Sequence, residues 1–98
     1  MSARLFWSSE TCSSTFKFNS HFLHLIVQED RLDCISTAPE NRDGISIENK
    51  NGVYTLRAFG ECEFEHNEDY FSTIKISSGE KLLLNSEEST FEISIKEE

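Results

Sequence analysis

Ile45-Ser46-Ile47-Glu48-Asn49-Lys50-Asn51-Gly52-Val53-Tyr54-Thr55-Leu56-Arg57-Ala58-Phe59 is the stretch that decides the fold. Apolar and polar residues alternate on both sides of an Asn-Gly pair. A period of two is the period of the pleat, so each flank reads as a strand with one buried face. Asn and Gly both tolerate positive φ, which a two-residue hairpin turn requires at both central positions. The segment is therefore a β-hairpin.

The alternation runs on past Gly60. Tyr54, Leu56, Ala58, Cys62 and Phe64 fall on one face; Arg57, Phe59, Glu61, Glu63 and Glu65 fall on the other. A glycine inside a strand pattern marks a bulge or bend. His66 to Asp69 reads as a polar loop. Ser72 to Ile76 alternates again, Ser78-Gly79-Glu80 turns, and Lys81 to Leu84 returns. Asn85 to Ser89 forms another turn before Phe91, Ile93 and Ile95 alternate towards the end.

Working back from the hairpin, Ala38 to Gly44 holds the single proline and is the clearest loop. Arg31 to Thr37, Phe16-Lys17-Phe18 and Arg4 to Trp7 are short strand candidates. Phe22 to Val27 is apolar on both faces apart from His24. A strand buried on both sides fits that run; a helical turn with Phe22, Leu25, Ile26 and Glu29 on one side is the alternative. The length of the run favours strand.

Composition points the same way. Ile, Val, Thr, Phe, Tyr and Trp supply 27 of the 98 residues, whereas Ala occurs three times and Met once. β-branched and aromatic residues suit a pleated, half-buried surface. The expectation is one all-β domain over residues 1–98, a compact antiparallel sandwich or partly open barrel of eight or nine short strands.

Cys12, Cys34 and Cys62 are an odd number at wide spacing, and Met1 to Ser9 lacks the apolar core of a secretory leader. No apolar run approaches the roughly 20 residues of a membrane helix. These features suggest a cytoplasmic protein.

The charge is uneven. Residues 1–60 carry seven acidic and six basic side chains; residues 61–98 carry eleven and three. Glu61, Glu63 and Glu65 on one strand face would stand about 6.6 Å apart. Each neighbouring pair would repel by about 0.6 kcal/mol in water. Such a face is solvated, or paired with Lys75, Lys81 or Lys96, or held for a cationic partner.

Motifs for chemistry are sparse. On a strand His21 and His24 point to opposite faces, whereas on a helix they would share one. The cysteines lack zinc spacing, and Glu65-His66-Asn67-Glu68-Asp69 lacks the glycine of a calcium loop. Ser77-Ser78-Gly79 is not a nucleophile elbow. A Cys34–His24 pair has no local marker, and four scattered glycines make no phosphate loop. Neither an enzyme nor a cofactor is expected. Arg31, Arg42, Lys50 and Arg57 are isolated, so direct nucleic-acid binding lacks its basic patch, and an anionic membrane would repel the chain. Trp7, Phe16 and Phe18 near Lys17 are a candidate stacking platform, though such rows more often fill a core. Phe6, Trp7 and Phe71 are candidates for exposed aromatics.

The leading expectation is a small acidic binding protein that blocks the basic surface of a protein partner, such as a nuclease or nucleic-acid-binding complex. A nuclease-toxin immunity protein and a phage-encoded inhibitor of a host defence complex have that character, with carboxylates standing in for phosphates. The candidate contact residues are Glu61, Glu63, Glu65, Glu68, Asp69, Glu87 and Glu88. The alternatives are a structural or assembly subunit, which would form homo-oligomers, and a module for a metal or small ligand.

Overall fold

The computed structural model describes residues 2–98; Met1, the first residue of the stretch read as lacking a leader, lies outside them. The deciding hairpin is formed. Lys50 pairs with Val53, and Asn51 and Gly52 hold φ of 54° and 80° across the turn. Its strands are β5 (Gly44–Lys50) and β6 (Val53–Phe59).

They form the middle of a five-stranded antiparallel sheet of order β4-β3-β5-β6-β9, with β3 (Phe22–Gln28), β4 (Arg31–Ile35) and β9 (Thr73–Ser77). A six-stranded antiparallel sheet has the order β2-β1-β11-β10-β7-β8. It contains β1 (Ala3–Ser8), β2 (Ser13–Lys17), β7 (Glu63–His66), β8 (Asp69–Phe71), β10 (Lys81–Asn85) and β11 (Thr90–Glu97). The two sheets pack as a sandwich. No helix among the described residues is long and apolar enough to cross a membrane.

The core lies between the sheets and follows the alternation. Leu5 and Trp7, Leu23 and Leu25, Ile45 and Ile47, Tyr54 and Leu56, Leu82 and Leu84, and Phe91, Ile93 and Ile95 are all buried inward. Trp7 meets Phe91 edge-on at 5.7 Å, an arrangement worth about 0.5–1.5 kcal/mol beyond burial. Ile26 is the exception, buried although it faces away from the core. Its cross-strand neighbour is Gly44, and the Pro39 ring packs where a Gly44 side chain would stand. The Ala38–Gly44 loop thus covers the outer side of β3, which explains why Phe22 to Val27 reads as apolar on both faces. The helical alternative for that run does not occur.

Four expectations are corrected. The strands number eleven rather than eight or nine. One extra strand comes from His66 to Asp69, which is a two-residue hairpin rather than a loop: His66 pairs with Asp69, and Asn67 and Glu68 both have positive φ. The alternation that runs past Gly60 belongs to two strands in different sheets, so the bend at Gly60-Glu61-Cys62 is a crossover and not a bulge within one strand. The burial phase survives this crossing, since Cys62 and Phe64 still point inward. Finally, Ser78-Gly79-Glu80 does not close a hairpin: β9 and β10 belong to opposite sheets.

The crossing at Gly60 is tightly held. Gly60 has φ of 68°, and a side chain there would run into the Asp43 carboxylate and the Arg42 backbone. Asp43 Oδ1 accepts the Glu61 N–H at 2.9 Å. Gly79 has φ of 90° with open space around it. Both glycines escape the left-handed penalty of about 1–2 kcal/mol, but only Gly60 also avoids a collision. Gly79→Ala is expected to cost about 1 kcal/mol and Gly60→Ala at least about 2 kcal/mol in urea unfolding. Equal losses would show that close packing at the crossover contributes nothing.

Candidate functional site

The seven candidate carboxylates divide into four places. Glu63 and Glu65 lie on β7 with Phe64 buried between them, so both face outward from the six-stranded sheet. Glu65 is cross-strand from Leu83 and Tyr70. It is also anchored: Thr90 Oγ1 donates to Asn85 Oδ1 at 3.1 Å, and Asn85 Nδ2 donates to Glu65 Oε1 at 3.3 Å. Glu68 lies in the two-residue turn of the β7–β8 hairpin at φ of 70°, and Asp69 opens β8 beside it. Glu87 and Glu88 occupy the β10–β11 turn, which Ser86 ties by hydrogen bonds to Ser89.

Glu61 does not share a strand face with Glu63 and Glu65. It sits in the crossover before β7, where its backbone N–H bonds Asp43. The regular three-carboxylate spacing is therefore absent.

The β10–β11 turn meets two carboxylates that sequence reasoning missed. Glu10, from the β1–β2 connection, and Asp30, from the β3–β4 turn, line one groove with Glu87 and Glu88. No local pattern marks Glu10 or Asp30. Only the strand directions bring these three connections to the same end of the sandwich.

Internal ion pairing does not neutralise the set. The ion pairs among the described residues are Arg4–Glu98, Arg31–Asp33 and Lys81–Glu92. None involves the seven candidates. Lys81 is taken by Glu92 at 3.5 Å, Lys96 lies over the Phe6 ring, and Lys75 belongs to the other sheet. The cross-strand pairing that would have made the acidic face self-sufficient is not formed.

The other candidates resolve as follows. Trp7 and Phe18 are buried, so the stacking platform with Phe16 does not exist. Phe6 and Phe71 are exposed, as are Phe22 and Tyr70, whereas Trp7 is core. His24 faces outward from β3, its Nδ1 2.8 Å from Ser46 Oγ and its ring stacked on Phe22. Cys34 is cross-strand from Leu25, the neighbour of His24, so the two side chains project to opposite faces. His21 precedes β3 and shares no ligand set with His24. No group of three or more metal-ligating side chains occurs among the described residues.

No protein family, curated protein or solved structure matches this chain. Its candidate site therefore rests on geometry and charge alone.

Cys62 stands beside the crossover and behaves unlike the other thiols. Burial, with the Asp43 carboxylate next to it, pushes its thiol from 9.0 up to about 11. Cys12 and Cys34 are exposed. At pH 8 a disulfide reagent is expected to titrate two thiols rapidly and the third only after denaturation. The raised value also links to stability. Below pH 9 both states are protonated; above it the unfolded thiol ionises first, so stability falls until the folded thiol ionises near 11. Cys62→Ala should show a shallower decline in denaturation midpoints across that interval. A slope identical to wild type would remove Cys62 as its source.

Proposed function

We propose that this protein is a binding module whose acidic side chains engage the basic surface of a protein partner. The observation that carries the reading is the absence of ion-pair partners for Glu61, Glu63, Glu65, Glu68, Asp69, Glu87 and Glu88 among the described residues. These side chains are charged, outward and mounted on paired strands or short turns. A partner's Lys and Arg side chains would meet carboxylates whose backbones need no reordering, which keeps the entropic cost of association low. Complementary charge also speeds encounter and sets orientation.

Glu68 adds a second support. Its left-handed conformation costs an L-residue about 1–2 kcal/mol, a cost a glycine would avoid. A carboxylate kept at such a position fits a contact role. A nuclease or another nucleic-acid-binding protein is the partner class with the matching basic surface. Blocking that surface, as an immunity protein or a phage-encoded inhibitor would, is the proposed action.

The assembly reading draws on a different observation. Phe22 and Val53 are exposed on the outer face of the five-stranded sheet. Self-association through that face would be apolar and insensitive to salt.

The test is affinity capture from the native host at two salt concentrations, with wild type beside a chain carrying Glu63→Lys, Glu65→Lys, Glu87→Lys and Glu88→Lys. The expected result is one basic partner retained by wild type, lost by the variant and weakened by salt. With several charge pairs removed and reversed, affinity should fall at least about a hundredfold. The same partner in both arms refutes the acidic contact. Capture of this chain alone, indifferent to salt, supports assembly instead.

A further inference from the structure

The mouth of the sandwich opposite the Glu87-Glu88 turn is built differently. β11 runs from that turn at Thr90 to Glu97, a distance of about 23 Å. Around Glu97 a groove of about 830 Å³ opens between the sheets. Pockets for small ligands span roughly 300–1,000 Å³. Asn49, Asn51 and Tyr54 line it from the five-stranded sheet and its hairpin turn, Glu97 from the other sheet, and Asn19 and His21 from the β2–β3 connection.

Two features set this groove apart from the apolar packing of the core. The first is Glu97. It is cross-strand from Ala3, which is buried inward, and it continues the inward phase of Ile93 and Ile95. An inward position thus carries a carboxylate. The second is Tyr54, a fully buried residue whose hydroxyl has no hydrogen-bond partner among the described residues. Buried hydroxyls are nearly always satisfied, and an orphan points to a missing ligand atom or water. Burial and the nearby Glu97 carboxylate hold the Tyr54 phenol above its usual pKa, so it keeps its proton and can donate.

The lining selects among ligand classes. No Lys or Arg lines the groove, and Glu97 is its single carboxylate, so an anion would meet repulsion without a counter-charge. An ammonium ligand carries donors only and would leave the amide N–H groups of Asn19, Asn49 and Asn51 unmatched. Each amide offers both a donor and an acceptor, the phenol does the same, and the carboxylate accepts. A ligand whose every group both donates and accepts uses all of them. Vicinal hydroxyls have that property. The Phe18 ring, 5.9 Å from the Tyr54 ring, adds an apolar wall for a C–H face.

We propose that this inter-sheet groove binds a neutral polyhydroxylated ligand, a sugar ring or an equivalent polyol. Glu97 accepts from one pair of hydroxyls, Tyr54 bonds a ligand oxygen, and the asparagine amides close the sides. The site is distant from the acidic surface and does not depend on it.

The test is a titration of isotope-labelled protein followed by amide resonances, using free mono- and disaccharides and a surface-displayed oligosaccharide panel. Propanol, butylammonium and inorganic phosphate are the comparison probes. Saturable shifts at the Asn49, Asn51 and Gly52 amides with one or more sugars are expected. A response to free sugars assigns the ligand as a metabolite, and a response to the displayed panel alone assigns a glycan; both uphold the site. Tyr54→Phe should weaken binding about tenfold while leaving the amide resonances away from the groove in place. Glu97→Gln should weaken it similarly. The chain with four Glu→Lys changes on the acidic surface should bind sugar as wild type does. Shifts no larger than those with propanol overturn the proposal. So does tighter binding of butylammonium or phosphate, or wild-type affinity in Tyr54→Phe.

Discussion

The whole arrangement depends on how the chain leaves one sheet for the other at Gly60. A strand that simply continued from Val53 to Glu65 would place all of its inward side chains in one sheet. Instead Gly60 takes a left-handed φ of 68°, and the Asp43 carboxylate catches the next N–H. The chain then enters the six-stranded sheet with its phase kept, so Leu56 and Phe64 face the same core from opposite sides. Burial raises the Cys62 thiol, and the same carboxylate beside it adds to the effect. One acid therefore secures the crossover and helps burial keep a cysteine protonated.

The charge distribution follows from that topology. Eleven acidic residues in the last 38 would repel one another badly in a single continuous sheet face. The fold disperses them. Glu61 stays in the crossover, Glu63 and Glu65 face outward on β7, Glu68 and Asp69 turn a hairpin, and Glu87 and Glu88 cap β10 and β11. Dispersal lowers repulsion, because separations beyond a Debye length of about 8 Å are largely screened. It leaves several acidic contact points instead of one regular stripe, and Arg4, Arg31, Lys81 and Lys96 are engaged elsewhere. At the far mouth the pattern inverts: an inward carboxylate and an unpartnered phenol face a polar groove.

The legibility of each element tracks the range of the forces that made it. The Asn51-Gly52 hairpin was readable because turn and pairing are set within fifteen residues. The inward positions were readable because the pleat has a fixed period. By contrast, the Asn67-Glu68 turn escaped notice because glutamate is rare at positive φ, so composition disguised a hairpin as a loop. Ile26 looked like core from both sides because the loop that covers it comes from 13 residues away, at Pro39. The sharing of one groove by Glu10, Asp30, Glu87 and Glu88 had no sequence signature at all.

The sequence by itself determined the all-β class, the central hairpin, the identity of most core residues and the excess of negative charge near the end of the chain. Those properties follow from period-two burial, turn chemistry and counting, which need only neighbours. Tertiary structure alone decided which strands share a sheet, where Gly60 hands the chain across, which carboxylates stand together and that Tyr54 meets Glu97 at an open mouth. Each of these depends on segments distant in sequence being brought into register by burial of a common core. No local alternation encodes which distant strand supplies the other half of that core.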